Sequence, residues 1–145
     1  MKIYVASSWR NIEQPTVVDQ LRKWGHEVYD FRHPTHNNNG FHWSEIDPAW
    51  GNWTPHEFIA GLESDIAGAG FLSNMQALID SDAVVLVMPC GKSSHLELGW
   101  AVGAGKTTAI LLNGKCEPEL MYKLADLVTT NLTQVNNYLM KIVQP

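Results

Sequence analysis

The run Ala83-Val84-Val85-Leu86-Val87-Met88, closed by Pro89-Cys90-Gly91, constrains the fold more than any other part of the chain. Six consecutive apolar residues, half of them valine, leave no polar face to turn to water. Such a strand is buried on both sides, as in the middle of a parallel sheet covered by helices. Shorter apolar runs repeat the theme. Ile3-Tyr4-Val5-Ala6 ends at Ser7-Ser8, Glu27 to Phe31 reads as a second strand, Thr108 to Leu112 as another buried one, and Leu127 to Thr130 as a weak last one.

Helical spacing fills the intervals. Ile12, Val17, Val18, Leu21 and Trp24 recur over Asn11 to Trp24, with Gly25 placed as a C-terminal cap. Pro55 opens a helix capped by Thr54, with Phe58, Ile59 and Leu62 as its stripe. A Gly-rich break at Gly68 to Gly70 separates it from a helix over Leu72 to Asp80. Ser94 to Gly103, Pro118 to Ala125 and Val135 to Ile142 complete the set. Strands alternating with helices define an α/β fold, a flavodoxin-like or Rossmann-like doubly wound parallel sheet of about five strands in a single domain, 1–145. Between His33 and Thr54 the pattern gives way to Pro, Asn, Gly and aromatic residues, a stretch too long for an idle connection, which we read as a functional lid.

Composition narrows the partners. A formal net charge of -5 provides no basic field for a nucleic acid polymer, and no apolar run reaches the roughly 18 residues that span a bilayer. Met1 leads directly into Lys2-Ile3-Tyr4-Val5-Ala6, too short for a signal sequence, so a cytoplasmic protein with a small-molecule ligand is expected. Cys90 and Cys116 have no metal-ligand or disulfide spacing and read as free thiols. His33, His36 and His42 lack a metal-site pattern, and no metal is expected there. Gly103-Ala104-Gly105-Lys106-Thr107-Thr108 mimics the end of a phosphate loop but runs from helix into strand, the wrong order, so its glycines read as a helix cap.

In open parallel sheets ligands bind beyond the carboxyl ends of the strands where strand order reverses. Two loops then line the crevice: Ser7-Ser8-Trp9-Arg10-Asn11, and Pro89 to Ser94 with Gly91, Ser93 and Ser94. They offer hydroxyls, a guanidinium and a helix N-terminus that favours an anion. Glu97 follows one turn later. Ser94 with Glu97 fits a capping box, in which the carboxylate serves only its own helix. A position at the switch point instead aims it into the crevice.

The run Glu97-Leu98-Gly99-Trp100-Ala101, after a strand and a Gly/Ser loop, resembles the nucleoside 2-deoxyribosyltransferase-like family, which includes 2'-deoxynucleoside 5'-monophosphate N-hydrolases. Lys2 to Arg10 and Asn74 to Ala109 are similar to that family's opening strand and central block. The resemblance implies that Glu97 attacks the anomeric carbon of a nucleoside or nucleotide, leaving a glycosyl ester that water or a second base resolves. It also implies that Ser8 and Arg10 grip a 5'-phosphate, that no metal or organic cofactor is needed, and that the protein is a homo-oligomer whose subunits lend residues to one another, through Met121 to Asp126 or the C-terminal helix.

Two departures from the family stand out. Its usual proton-donating Asp, eight residues before the Asp that opens the central strand, is Asn74 here, counted back from Asp82, and its phosphate-binding serine corresponds to Gly91. An amide cannot transfer a proton at neutral pH, which leaves His42, Glu45, Asp47 or Asp65 as acid, or Asn74 as a hydrogen-bonding group only. The insert tryptophans Trp43, Trp50 and Trp53 either stack on a base or form a hydrophobic cluster that pins the loop. Two further readings stay open: a catalytically silent nucleotide-binding module, and a glycohydrolase of NAD or a related signalling nucleotide.

Overall fold

A computed structural model of the chain describes residues 1–35 and 38–143. They form two compact units, one of Met1–Asp30 with Asp80–Pro145 and one of Phe31–Ile79.

The first unit is built on five parallel strands, β1 (Lys2–Ala6), β2 (Glu27–Asp30), β3 (Ala83–Val87), β4 (Thr107–Leu111) and β5 (Leu127–Thr129), in the order β2-β1-β3-β4-β5. This is the flavodoxin-like order, with β1 and β3 flanking the reversal point. All five residues of β3 are buried, as its unbroken apolar run requires. Side-chain alternation then sorts the strands. Ile3, Val5, Val28, Ala83, Val85, Val87, Ala109 and Leu111 face one side and pack with Val17, Val18 and Leu21 of α1 (Gln14–Lys23) and Val135 and Leu139 of the C-terminal helix, Leu132–Val143. Tyr4, Val84, Leu86 and Ile110 belong to the other side of the pleat, and the helix Lys92–Gly103 packs on β1, β3 and β4. Burying one side chain such as Leu21 contributes about 1.5–3 kcal/mol.

Helix ends follow local chemistry. Helix α1 starts at Gln14 rather than Asn11, because the Asn11 side chain is drawn to the Val87 carbonyl at the end of β3. It stops where Gly25 takes φ +90, a left-handed conformation that lets the His26 N–H donate to the Leu21 carbonyl at 3.2 Å. Gly105, at φ +71, ends Lys92–Gly103 in the same way, with Lys106 N–H on the Ala101 carbonyl at 3.0 Å.

In the second unit, α2 (Pro55–Leu62) carries a reciprocal cap: Thr54 Oγ1 accepts from Glu57 N at 3.3 Å and Thr54 N donates to Glu57 Oε2 at 3.1 Å. The expected break at Gly68 to Gly70 is absent. Helix α3 runs without interruption over Asp65–Asp80. Glycine costs a helix up to about 1 kcal/mol, but at Gly70 any Cβ would sit 3.0 Å from Phe41, so the missing side chain is what lets that ring pack on the helix. The expected helix over Pro118 to Ala125 is a shorter 3-10 turn, Leu120–Leu124. We label Lys92–Gly103 α4 and Leu132–Val143 α5. No described helix is long and apolar enough to cross a membrane.

Candidate active site

The loops after β1 and β3 are joined by a knot of hydrogen bonds. Ser7 Oγ donates to the Val87 carbonyl at 2.9 Å, and Asn11 Nδ2 lies 3.1 Å from Ser7 Oγ and 3.2 Å from the carbonyls of Val87 and Pro89. Ser94 Oγ donates to the Ser7 carbonyl at 2.7 Å. Ser7, Asn11 and Ser94 are all buried, so these polar groups hold the loops in register at the reversal point. Around them Ser8 is half-buried, while Trp9, Arg10, Gly91 and Ser93 are exposed.

That geometry removes the capping-box interpretation of Ser94 and Glu97. Helix α4 begins at Lys92 rather than Ser94, its N-cap is Gly91, and no side chain caps it. Ser94, already bonded to Ser7, lies a full residue set inside the helix, and Glu97 falls in the second turn. The N–H groups of the first turn are left for solvent or ligand, as an anion site requires. Glu97 adjoins the buried stripe of Ser94, Leu98 and Ala101, on the side of α4 turned to the sheet.

There it meets Tyr4. The Tyr4 hydroxyl draws the Glu97 carboxyl down, and the carboxylate pushes the Tyr4 hydroxyl up, secondary to burial in each case. Burial dominates and pushes Glu97 up to about 7. Neither Tyr4 Oη nor Glu97 Oε2 has a partner at well-formed hydrogen-bond geometry, although both atoms are shut off from solvent. Two facing polar groups left incomplete in a core are costly, and such sites are where catalytic groups are found. Tyr4 also stacks on Tyr29 of β2, with centroids 5.0 Å apart. The sequence reading passed over Tyr4. The available signal was a fully buried hydroxyl in an otherwise aliphatic strand, which must face something polar.

His95 and Cys90 have structural tasks. His95 Nδ1 donates to the Gly91 carbonyl at 2.7 Å and Nε2 lies 2.8 Å from the Tyr122 hydroxyl, with the two rings stacked. Burial pushes the Cys90 thiol up to about 11, a Ser94 hydrogen bond opposes that, and the Glu97 charge adds to it. A thiol so disfavoured as thiolate is a poor nucleophile.

The other sequence candidates lie in the second unit. Asn74 is half-buried in α3, and Asp65 is that helix's exposed first residue. His42 Nε2 donates to the Asn39 carbonyl at 3.1 Å, and His42 N–H donates to Glu45 Oε2 at 3.4 Å. Trp43 is the hub of an aromatic cluster, with centroids 4.8 Å from Phe41, 5.7 Å from Trp53 and 6.1 Å from Phe58. Asp47 Oδ2 accepts from Trp53 Nε1 at 2.7 Å and Oδ1 from Ala49 N at 2.9 Å. These bonds, Trp53 first, hold the Asp47 carboxyl below its usual range, the opposite of what a proton donor needs. Among the described residues no three His, Cys, Asp or Glu side chains gather as metal ligands, and His36 lies outside those residues.

Fold and loops together define a flavodoxin-like α/β protein with a half-buried, incompletely bonded glutamate one helical turn beyond the loop that follows β3. Among solved structures with this fold is a 2-deoxyribosyltransferase from the psychrotolerant bacterium Bacillus psychrosaccharolyticus, with a TM-score of 0.62 and 20% identity over 95% of this chain and 92% of that one. Another is the Clostridium botulinum CMP N-glycosidase BcmB, with a TM-score of 0.52 and 13% identity over 96% and 98%. At these identities the likeness is one of fold. No protein-family model matches the chain, and no curated protein matches it.

Proposed function

We propose that the whole chain is one nucleoside 2-deoxyribosyltransferase-like domain that breaks the N-glycosidic bond of a deoxynucleoside or its 5'-monophosphate through Glu97. The observation that carries this is the Glu97 carboxyl itself, mostly shielded from water, with one buried oxygen unpaired and Tyr4 facing it. A desolvated carboxylate is a strong nucleophile towards an oxocarbenium-like carbon. Glu97 Oε bonds to C1', the C1'–N bond breaks, and its electron pair leaves with the base. Water or a second base then displaces Glu97 and restores the carboxylate.

The fold shared with a deoxyribosyltransferase and a CMP N-glycosidase supports this reading. So do Ser8, exposed Arg10 and the uncapped start of α4, which suit a phosphate and favour hydrolysis of nucleotides. Water supplies the proton that the departing base takes up. Homo-oligomerisation belongs to the same proposal. Leu96, Leu120 and Met121 are 75%, 76% and 59% exposed, and the last of them borders, with Leu96, a groove of about 930 Å³ between α4 and residues 117–124. That surface suits a second copy.

Intact-mass measurement after incubation with 2-fluoro-2-deoxynucleosides and their monophosphates tests the reaction. Wild type should gain one fluorosugar mass and Glu97→Gln none. An unmodified wild type that binds these compounds and releases no base from natural deoxynucleotides would instead mark a silent binding module.

Tyr4→Phe provides a separate check. It keeps the ring in the core but removes the group that draws the Glu97 carboxyl down. The acid limb of kcat/KM should move to higher pH and activity at pH 6.5 should fall about 10-fold, as a displacement of about one pH unit on a carboxylate that must be ionised requires. A pH profile identical to wild type would remove Tyr4 from the mechanism.

A further inference from the structure

Three donors with a shared chemistry meet where the loop after β3 turns into α4. The Cys90 thiol lies 3.4 Å from the Met88 thioether sulfur and 3.8 Å from His95 Nδ1. All three belong to the first unit, Met88 and Cys90 just past β3 and His95 in the first turn of α4. Hydrogen bonding alone gives little reason for the arrangement, since a thiol is a weak donor and a thioether a weak acceptor. What thiolate, thioether and imidazole have in common is affinity for a soft metal ion, copper(I) above all.

The spacings suit ligands around a single ion. For a metal about 2.3 Å from each sulfur and about 2.1 Å from the nitrogen, the separations of 3.4 and 3.8 Å correspond to angles of about 95° and 120° at the metal. Opening the sulfur pair by about 0.4 Å brings the first angle to the tetrahedral value. Tyr122 stands behind the histidine, as an outer-shell partner should. Its hydroxyl is 2.8 Å from His95 Nε2 and 3.2 Å from the Met88 sulfur. While Nδ1 donates to the Gly91 carbonyl at 2.7 Å, Nε2 and the thioether are both acceptors and compete for the single Tyr122 proton. A metal on Nδ1 moves the imidazole proton to Nε2, which then donates to the Tyr122 oxygen and leaves the Tyr122 O–H for the sulfur. The carbonyl that the ring gives up belongs to an exposed residue, where water can take over the bond.

We propose that Met88, Cys90 and His95 form a binding site for copper(I). Cys90 and His95 line the groove of about 930 Å³ beside α4, which provides the path of entry. The cation replaces the thiol proton, which passes to water, so one thiolate, one thioether and one neutral imidazole around Cu⁺ leave the site without net charge. A divalent ion would place an uncompensated charge among donors withdrawn from water, Met88 being only 7% exposed. The site goes beyond the N-glycosidic reading and stands or falls independently of it.

Anaerobic titration of the full chain with copper(I), in competition with a chromophoric copper(I) chelator, tests the assignment without turnover. Wild type should withdraw one copper(I) per chain, and excess zinc(II) should not displace it. Met88→Leu, which keeps the side-chain volume, and His95→Gln should each weaken binding at least 10-fold. Cys90→Ser should abolish it, whereas Cys116→Ser, which removes the other thiol, should leave it unchanged. X-ray absorption at the copper edge needs no variant, and should find two sulfur neighbours and one nitrogen in the wild-type complex. Failure to hold copper(I) against the chelator would overturn the site. So would loss of binding in Cys116→Ser, displacement by zinc(II), affinities in Met88→Leu and His95→Gln within threefold of wild type, or a copper shell with a single sulfur.

Discussion

Glu97→Gln is expected to lower the release of base from deoxynucleoside monophosphates by about 10⁴-fold or more, the scale seen when a covalent nucleophile is removed. The amide fills the same space but cannot form the glycosyl ester. In wild type, kcat/KM should rise with pH and level off above a midpoint near 7, because the free enzyme must carry the carboxylate and burial pushes Glu97 up to about 7. Initial rates from pH 5 to 9, with free base quantified by chromatography, check both statements. A variant within 10-fold of wild type would assign the chemistry to another group.

The same substitution should stabilise the fold, and only on the alkaline side. The Glu97 carboxyl has a folded pKa of about 7 against an ordinary 4.5. Between those values the native chain keeps a proton that the unfolded chain has released, so stability falls as pH rises through the window and the cost is complete above 7. Its ceiling is about 3 kcal/mol, at 1.36 kcal/mol per pH unit. Glutamine carries no charge to desolvate. Thermal denaturation should therefore place Glu97→Gln about 5 °C above wild type at pH 8 and level with it at pH 4.5. A gain in stability coupled to loss of activity is what distinguishes a strained functional residue from a structural one.

The sheet was legible because its determinants are local. An unbroken apolar run such as Ala83 to Val87 has few alternatives to a central strand, and the reversal between β1 and β3 follows once the strands alternate with helices. What was misread depended on contacts distant in sequence. Gly68 and Gly70 look like a break until Phe41, nearly thirty residues away, is found packed on Gly70. Ser94 and Glu97 fit a capping box until the Ser7 carbonyl, 87 positions earlier, claims the serine hydroxyl. Tyr4 was overlooked for the same reason, since nothing in β1 reveals that a carboxylate lies across from it. The meeting of the loops after β1 and β3, in contrast, was legible from topology, because strand order alone fixes which two loops flank the reversal point.

Within the insert, geometry predicts opposite outcomes for one substitution at two glycines. Gly61→Ala places a Cβ 2.5 Å from Cη2 and Cζ3 of Trp53, a rigid ring whose Nε1 is tied to Asp47 at 2.7 Å and which meets Trp43 in a T-shaped contact. Alanine improves helix propensity by about 1 kcal/mol. The overlap outweighs it, because neither the ring nor the α2 backbone can yield without breaking the Asp47 bond, and overpacking of this kind costs about 1–3 kcal/mol. The expected net result is a loss of about 2 kcal/mol, seen as an earlier thermal transition and a changed near-ultraviolet tryptophan signal. Gly68→Ala meets nothing within 4 Å and sits in α3 without a left-handed φ, so it should gain up to about 1 kcal/mol. Equal shifts at both positions would mean that Trp53 is not locked by its bond to Asp47.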